Sequence, residues 1–158
     1  MAEPLADTVI RYIDQAPGLY CRLILLAGPA GSGKTATLQE VHQRTSAPLV
    51  NVNLELSRRM LDLTERQRAL KLPSLLAEIV KLPGGEVILL DNIEVLFDVL
   101  LKQDPLRLLM GISRNKTVVV AWSGSIDGSY IIYAKPGHTE YKRYPKHEFL
   151  IVSTAPTV

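Results

Sequence analysis

The chain has 158 residues, 47% of them hydrophobic and 22% charged, with a formal net charge of +2. That composition excludes a disordered, fibrous or disulfide-built protein, and a charge so near zero gives no electrostatic reason to expect nucleic acid. The length suits a single domain, spanning residues 1–158, with one substantial core.

Leu5, Val9, Ile10 and Ile13 recur at helical spacing, and Pro17-Gly18 ends that helix, so residues 1–18 read as an N-terminal helix. Its segment MAEPLADTVIRYIDQ is too acidic and interrupted for a secretory signal, and no apolar run nears the ~20 residues that cross a bilayer. Cys21 is the sole cysteine, expected to be a small buried hydrophobe in a reducing compartment, which sets a cytoplasmic location as the expectation. Leu23-Ile24-Leu25-Leu26-Ala27 is a continuous apolar run of the kind buried on both faces of a parallel sheet. A glycine-rich turn follows, then a helix through Leu38 and Val41 that stops near Pro48, and a strand over Leu49–Asn53. Residues 55–71 read as a helix carrying Arg58, Arg59, Arg66 and Arg68, and a second helix is expected to start near Pro73-Ser74.

Gly84-Gly85 turns the chain into the buried strand Val87–Asp91, followed by an apolar helix over Ile93–Leu101. Asp104-Pro105 reads as the cap and first turn of another helix. Thr117–Trp122 is a fourth strand, ending at Ser123-Gly124-Ser125, and Phe149–Val152 a fifth. The segment 124–148, rich in Gly, Tyr, Pro and Lys, reads as a long loop or hairpin. Strands alternating with helices give an α/β fold with a five-stranded parallel sheet covered on both faces, three layers in all.

Gly28-Pro29-Ala30-Gly31-Ser32-Gly33-Lys34-Thr35 satisfies the Gly-x-x-x-x-Gly-Lys-[Ser/Thr] pattern of a P-loop, between a strand and a helix start. The glycines let backbone N–H groups close on phosphate oxygens, and the following helix presents its positive end to the anion. Lys34 suits contact with the β- and γ-phosphates, and the Thr35 hydroxyl suits the shell of a magnesium ion. ATP and magnesium are the expected ligands. Asp91, ending a hydrophobic strand, suits the same ion, with helix capping as the alternative role.

Hydrolysis needs a group that positions water. Asn92 stands directly after Asp91, where many related ATPases carry glutamate, and Glu94 lies one turn further on. Glu94 is the candidate activator of water, with an exposed surface glutamate as the alternative; if neither residue serves, ATP is bound and turned over slowly. Ser123 is a candidate sensor of the γ-phosphate, or a turn serine. Arg114 and Arg143 are candidates for a charge donated to a neighbouring subunit's ATP. Arg58 and its neighbours form a salt-bridged helix face or a contact surface. Tyr130, Tyr133, Tyr141 and Tyr144 interleave with Lys135, Lys142, Arg143 and Lys146, which suits either base stacking or a packed hairpin. His138 and His147 have no metal-ligand spacing with Cys21 or each other.

The P-loop and Leu90-Asp-Asn-Ile-Glu94 are shared by many AAA+ ATPases; with Asn51-Val-Asn-Leu-Glu-Leu-Ser-Arg-Arg59 and Tyr133-Ala-Lys-Pro-Gly-His138, the chain resembles the BrxF family. These are small P-loop ATPases of type 3 bacteriophage-exclusion (BREX) systems. The resemblance implies ATP binding or hydrolysis coupled to oligomer assembly, partnership with other BREX proteins, and possible engagement of duplex DNA. Larger AAA+ proteins continue into a helical lid, and the expectation here is that none follows the fifth strand. Two other classes stay open: a P-loop kinase acting on a small molecule or nucleoside, and a non-hydrolysing DNA-binding or scaffold module.

Overall fold

The computed structural model describes residues 3–128, 130–133, 142–145 and 149–154. Five strands form the parallel sheet: β1 (Leu23–Gly28), β2 (Leu49–Asn51), β3 (Val87–Asp91), β4 (Thr117–Asp127) and, last in the chain, Leu150–Ser153. With β5 (Tyr130–Tyr133) and β6 (Lys142–Pro145) between them, that last strand is β7, and the order across the sheet is β2-β3-β4-β1-β7. The α/β fold and its five parallel strands agree with the sequence reading.

Period-two alternation splits the strand residues between two cores. Leu25, Ala27, Leu90, Val120 and Trp122 face the helices α3 (Val52–Met60), α4 (Glu65–Lys81) and α5 (Pro105–Ile112). Ile24, Leu26, Leu89, Val119 and Val152 face α1 (Leu5–Gln15) and α2 (Lys34–Thr45). Each such aliphatic side chain, fully buried, contributes about 1.5–3 kcal/mol. Cys21 is buried as a small hydrophobe. Among the described residues, no helix is long and apolar enough to cross a membrane.

Several helix boundaries differ from the periodicity. The strand expected over Leu49–Asn53 stops at Asn51, whose side chain caps α3 by accepting from the Leu54 amide at 3.0 Å. The helix expected over 55–71 is two helices, because Thr64 and Gln67 form a reciprocal capping box that starts α4. Pro73 does not start a helix but lies inside α4. A proline there leaves the carbonyl of Ala69, four residues back, without its helical donor. The Gln103 side chain supplies one, its Nε2 donating to Ala69 O at 2.7 Å.

Ile93–Leu101 is not an α-helix but two 3-10 turns, Glu94–Phe97 and Val99–Leu101. Asp98 is extended between them (φ −60°, ψ 121°) and its carboxylate accepts from the Leu100 amide at 3.0 Å, which diverts the backbone from helix. The apolar spacing there reflects burial of Ile93, Leu96, Phe97 and Leu101. Asp104 and Pro105 do cap and open α5, with Asp104 Oδ1 accepting from the Arg107 amide at 3.3 Å. Within α5, a methyl group at Gly111 would meet nothing within 4 Å. Gly111→Ala is therefore expected to stabilise the fold by about 0.5–1 kcal/mol, read as a higher urea midpoint.

The largest departure is β4. Instead of ending at Ser123-Gly124-Ser125, it runs on to Asp127, and its second half pairs antiparallel with β5, and β5 with β6. Trp122 Nε1 donates to the Ile132 carbonyl at 3.0 Å and fixes the junction. The Phe97 ring stacks on Tyr133 with centroids 3.4 Å apart, and Trp122 meets both rings edge-on. Two parallel strands separated by a third are usually joined by a helix. Here the described residues between β4 and β7 are a β-ribbon. His138 and His147, with Lys135, Tyr141 and Lys146, lie outside the described residues, as does most of the Tyr133–His138 motif.

Candidate functional site

The site is built at the carboxyl ends of β1 and β3, where the sheet register sets Gly28 opposite Ser123 and Asn51 opposite Asp91. Gly28 is required by close approach. A Cβ there would collide with the Thr154 hydroxyl and lie 2.6 Å from Ser32 Oγ. Thr154 is held in place by its amide, which donates to the Ala27 carbonyl at 2.9 Å. Gly28→Ala is expected to destabilise the fold by about 1–3 kcal/mol, visible as a lowered melting temperature. Gly31 (φ +78°) and Gly33 (φ +93°) adopt left-handed backbone that side chains resist, and Gly33 leads directly into α2.

Lys34, the first residue of α2, curls back over the loop. Its Nζ donates to the Gly28 and Pro29 carbonyls at 2.7 Å each, and the residue is 8% exposed. Burial pushes its pKa down, while the Glu94 and Asp91 carboxylates pull it back up. Thr35 Oγ1 donates to Asp91 Oδ2 at 2.7 Å, and Asp91 Oδ1 accepts from the Asn92 amide at 2.9 Å. Asn92 turns the chain through left-handed backbone (φ +55°), so that its carbonyl accepts from the Asn53 amide at 3.0 Å. Its side chain is exposed. The turn brings Glu94 round to Ser123, whose hydroxyl donates to Glu94 Oε1 at 3.2 Å.

The structure thus gathers Gly28–Thr35, Asp91, Glu94 and Ser123 at one edge of the sheet. The arginines are elsewhere: the Arg114 guanidinium lies 5.1 Å from the Tyr20 ring centroid, before β1 begins, and Arg143 stacks 3.7 Å over Tyr130 in the ribbon. On α3, Arg58 and Arg59 pair with Glu55 at 3.3 and 3.4 Å, a salt-bridged face. Thr154 is a member of the site that sequence reasoning missed; its position far along the chain carries no local signal.

The loop's chemistry fits a nucleotide phosphate. Ser32 Oγ is buried without a hydrogen-bond partner, the Lys34 ammonium is present, and no side chain could replace Gly28 at the cradle. The Thr35 hydroxyl and Asp91 carboxylate form an oxygen pair suited to magnesium and its waters. No curated protein sequence matches the chain. A chain in a structure of C. elegans PCH-2 is similar to it at 21% identity with a TM-score of 0.36, covering 78% of this chain and 34% of that one. This chain therefore spans about a third of that neighbour's length. The model of the ATPase family associated with various cellular activities (AAA) matches residues 24–121, and the chain belongs to that family of ATP-binding P-loop proteins.

Proposed function

We propose that the chain binds ATP with magnesium at Gly28–Thr35 and hydrolyses it slowly until a second subunit completes the site. The carrying observation is the 2.7 Å hydrogen bond between Thr35 and Asp91 beside a lysine already buried in the loop. In this reading Lys34 exchanges its two carbonyl acceptors for phosphate oxygens, and Thr35 and Asp91 hold the magnesium. When bound, that ion neutralises charge on the phosphates. Glu94 orients the attacking water once its bond to Ser123 is released, and Ser123 then faces the γ-phosphate. Asn92, exposed and beside Asp91, supports positioning but carries no proton-accepting group.

Nucleotide state controls the oligomer, and through it the binding of partners or duplex DNA, in anti-phage defence of the BREX type. This biological setting is supported by the sequence motifs that resemble BrxF. Arg143 of an adjacent subunit supplies the missing positive charge.

The test is phosphate release at increasing protein concentration with magnesium, alongside mass in solution with and without ATP and duplex DNA. Turnover per chain that rises with concentration, together with an ATP-dependent larger species, is expected. A monomer with concentration-independent turnover would contradict the assembly. Faster phosphate transfer to a nucleoside than to water would assign the site to a kinase.

A further inference from the structure

We propose that the groove between α5 and Tyr20 is a second binding site, distinct from the P-loop, for a small organic anion with a flat apolar body. The groove lies between α5 and the segment that leads into β1, with Tyr144 of the β-ribbon on its wall. It encloses about 520 Å³, within the ordinary range of small-molecule sites.

Three features fix the ligand's chemistry. Arg107 and Gly111 are one turn apart on α5, and Arg114 stands three residues further on, so all three line the groove. A Cβ at Gly111 would meet nothing within 4 Å, so the groove wall is open at that position. Among the described residues, neither Arg107 nor Arg114 has a carboxylate partner. Asp104, at the same end as Arg107, is engaged with the Arg107 amide as the helix cap. The positive charge is therefore concentrated toward Arg114, a planar fork suited to phosphate or carboxylate.

Tyr20 is 68% exposed and presents its ring beside Arg114, a platform on which a flat ligand stacks. At the inner wall the Tyr144 hydroxyl is buried and makes no hydrogen bond of good geometry, although it lies toward the Leu106 amide. Burial and the nearby Asp104 push its pKa up, so it keeps its proton as a donor. That wall of the groove is therefore neutral, and the ligand's charged end is directed away from it toward Arg114.

The experiment is calorimetric titration of phenyl phosphate, with benzoate as the carboxylate arm, into the full chain. The P-loop is either saturated with MgADP or disabled by Lys34→Ala, which separates this proposal from the nucleotide reading. Saturable binding is expected in both backgrounds. It should weaken about tenfold or more in Arg107→Met/Arg114→Met, which removes the charge, and in Gly111→Leu, which fills the groove with a helix-favouring side chain. Unchanged far-ultraviolet circular dichroism shows that the variants fold. No saturable heat, or equal binding in wild type and variants, overturns the proposal. Tighter binding of a polyglutamate peptide with the same variant dependence would also overturn it, assigning the groove to a partner's acidic segment.

Discussion

Lys34→Ala is expected to weaken MgATP binding by about 100-fold, close to 3 kcal/mol, which is what a charge-assisted contact to phosphate typically contributes. The substitution also removes the donor shared by the Gly28 and Pro29 carbonyls. Those carbonyls become open to water, so the fold itself should lose only about 1 kcal/mol. Calorimetry against thermal unfolding separates the two effects, and a Lys34→Met control keeps the apolar stem while removing the charge. Equal loss in both variants points to the ammonium; near-normal binding in Lys34→Met would give the role to packing.

Glu94→Gln is expected to lower turnover about 10²- to 10⁴-fold, the range of general-base effects, with ATP affinity within about threefold of wild type. The comparison is a clean one because glutamine keeps an oxygen that accepts from the Ser123 hydroxyl. A fall in rate then reports the lost proton acceptor and not a broken hydrogen bond. Phosphate release under saturating ATP measures it. A rate equal to wild type would leave Glu94 a surface residue and move the water-positioning role to Asn92 or to a neighbouring chain.

Much of the sheet was legible because a strand buried on both faces has no choice but an unbroken apolar run. Leu23–Ala27, Ile88–Leu90 and Val118–Val120 are each fully or nearly fully buried, and each reads that way in sequence. The P-loop was legible because its glycines and lysine are local requirements. The helix boundaries were less so, since apolar spacing marks burial whether the backbone is α-helical or not. Ile93–Leu101 buries the same side chains through two 3-10 turns divided at Asp98. Pro73 misled because its remedy, Gln103, lies 34 positions away. The Thr64–Gln67 capping box, by contrast, is a local signal that marks the start of α4 in the sequence itself.

The rest depended on long-range packing. Nothing near Gly28 in sequence indicates that Thr154 fills the space above it. The Ser123–Glu94 hydrogen bond needs both the left-handed turn at Asn92 and the continuation of β4 through Ser123. That continuation ties the ribbon to the site through Trp122, Phe97 and Tyr133, an arrangement visible only once the strands are paired.

The most direct test of the nucleotide site is a titration of the isotope-labelled chain with MgATP, followed through its backbone amide signals. Saturable shifts at Gly31, Ser32, Gly33, Lys34 and Thr35, with a further change at Asn92 that requires magnesium, are the expected result. Shifts that spare these residues, or that are the same in Lys34→Ala, would contradict the assignment.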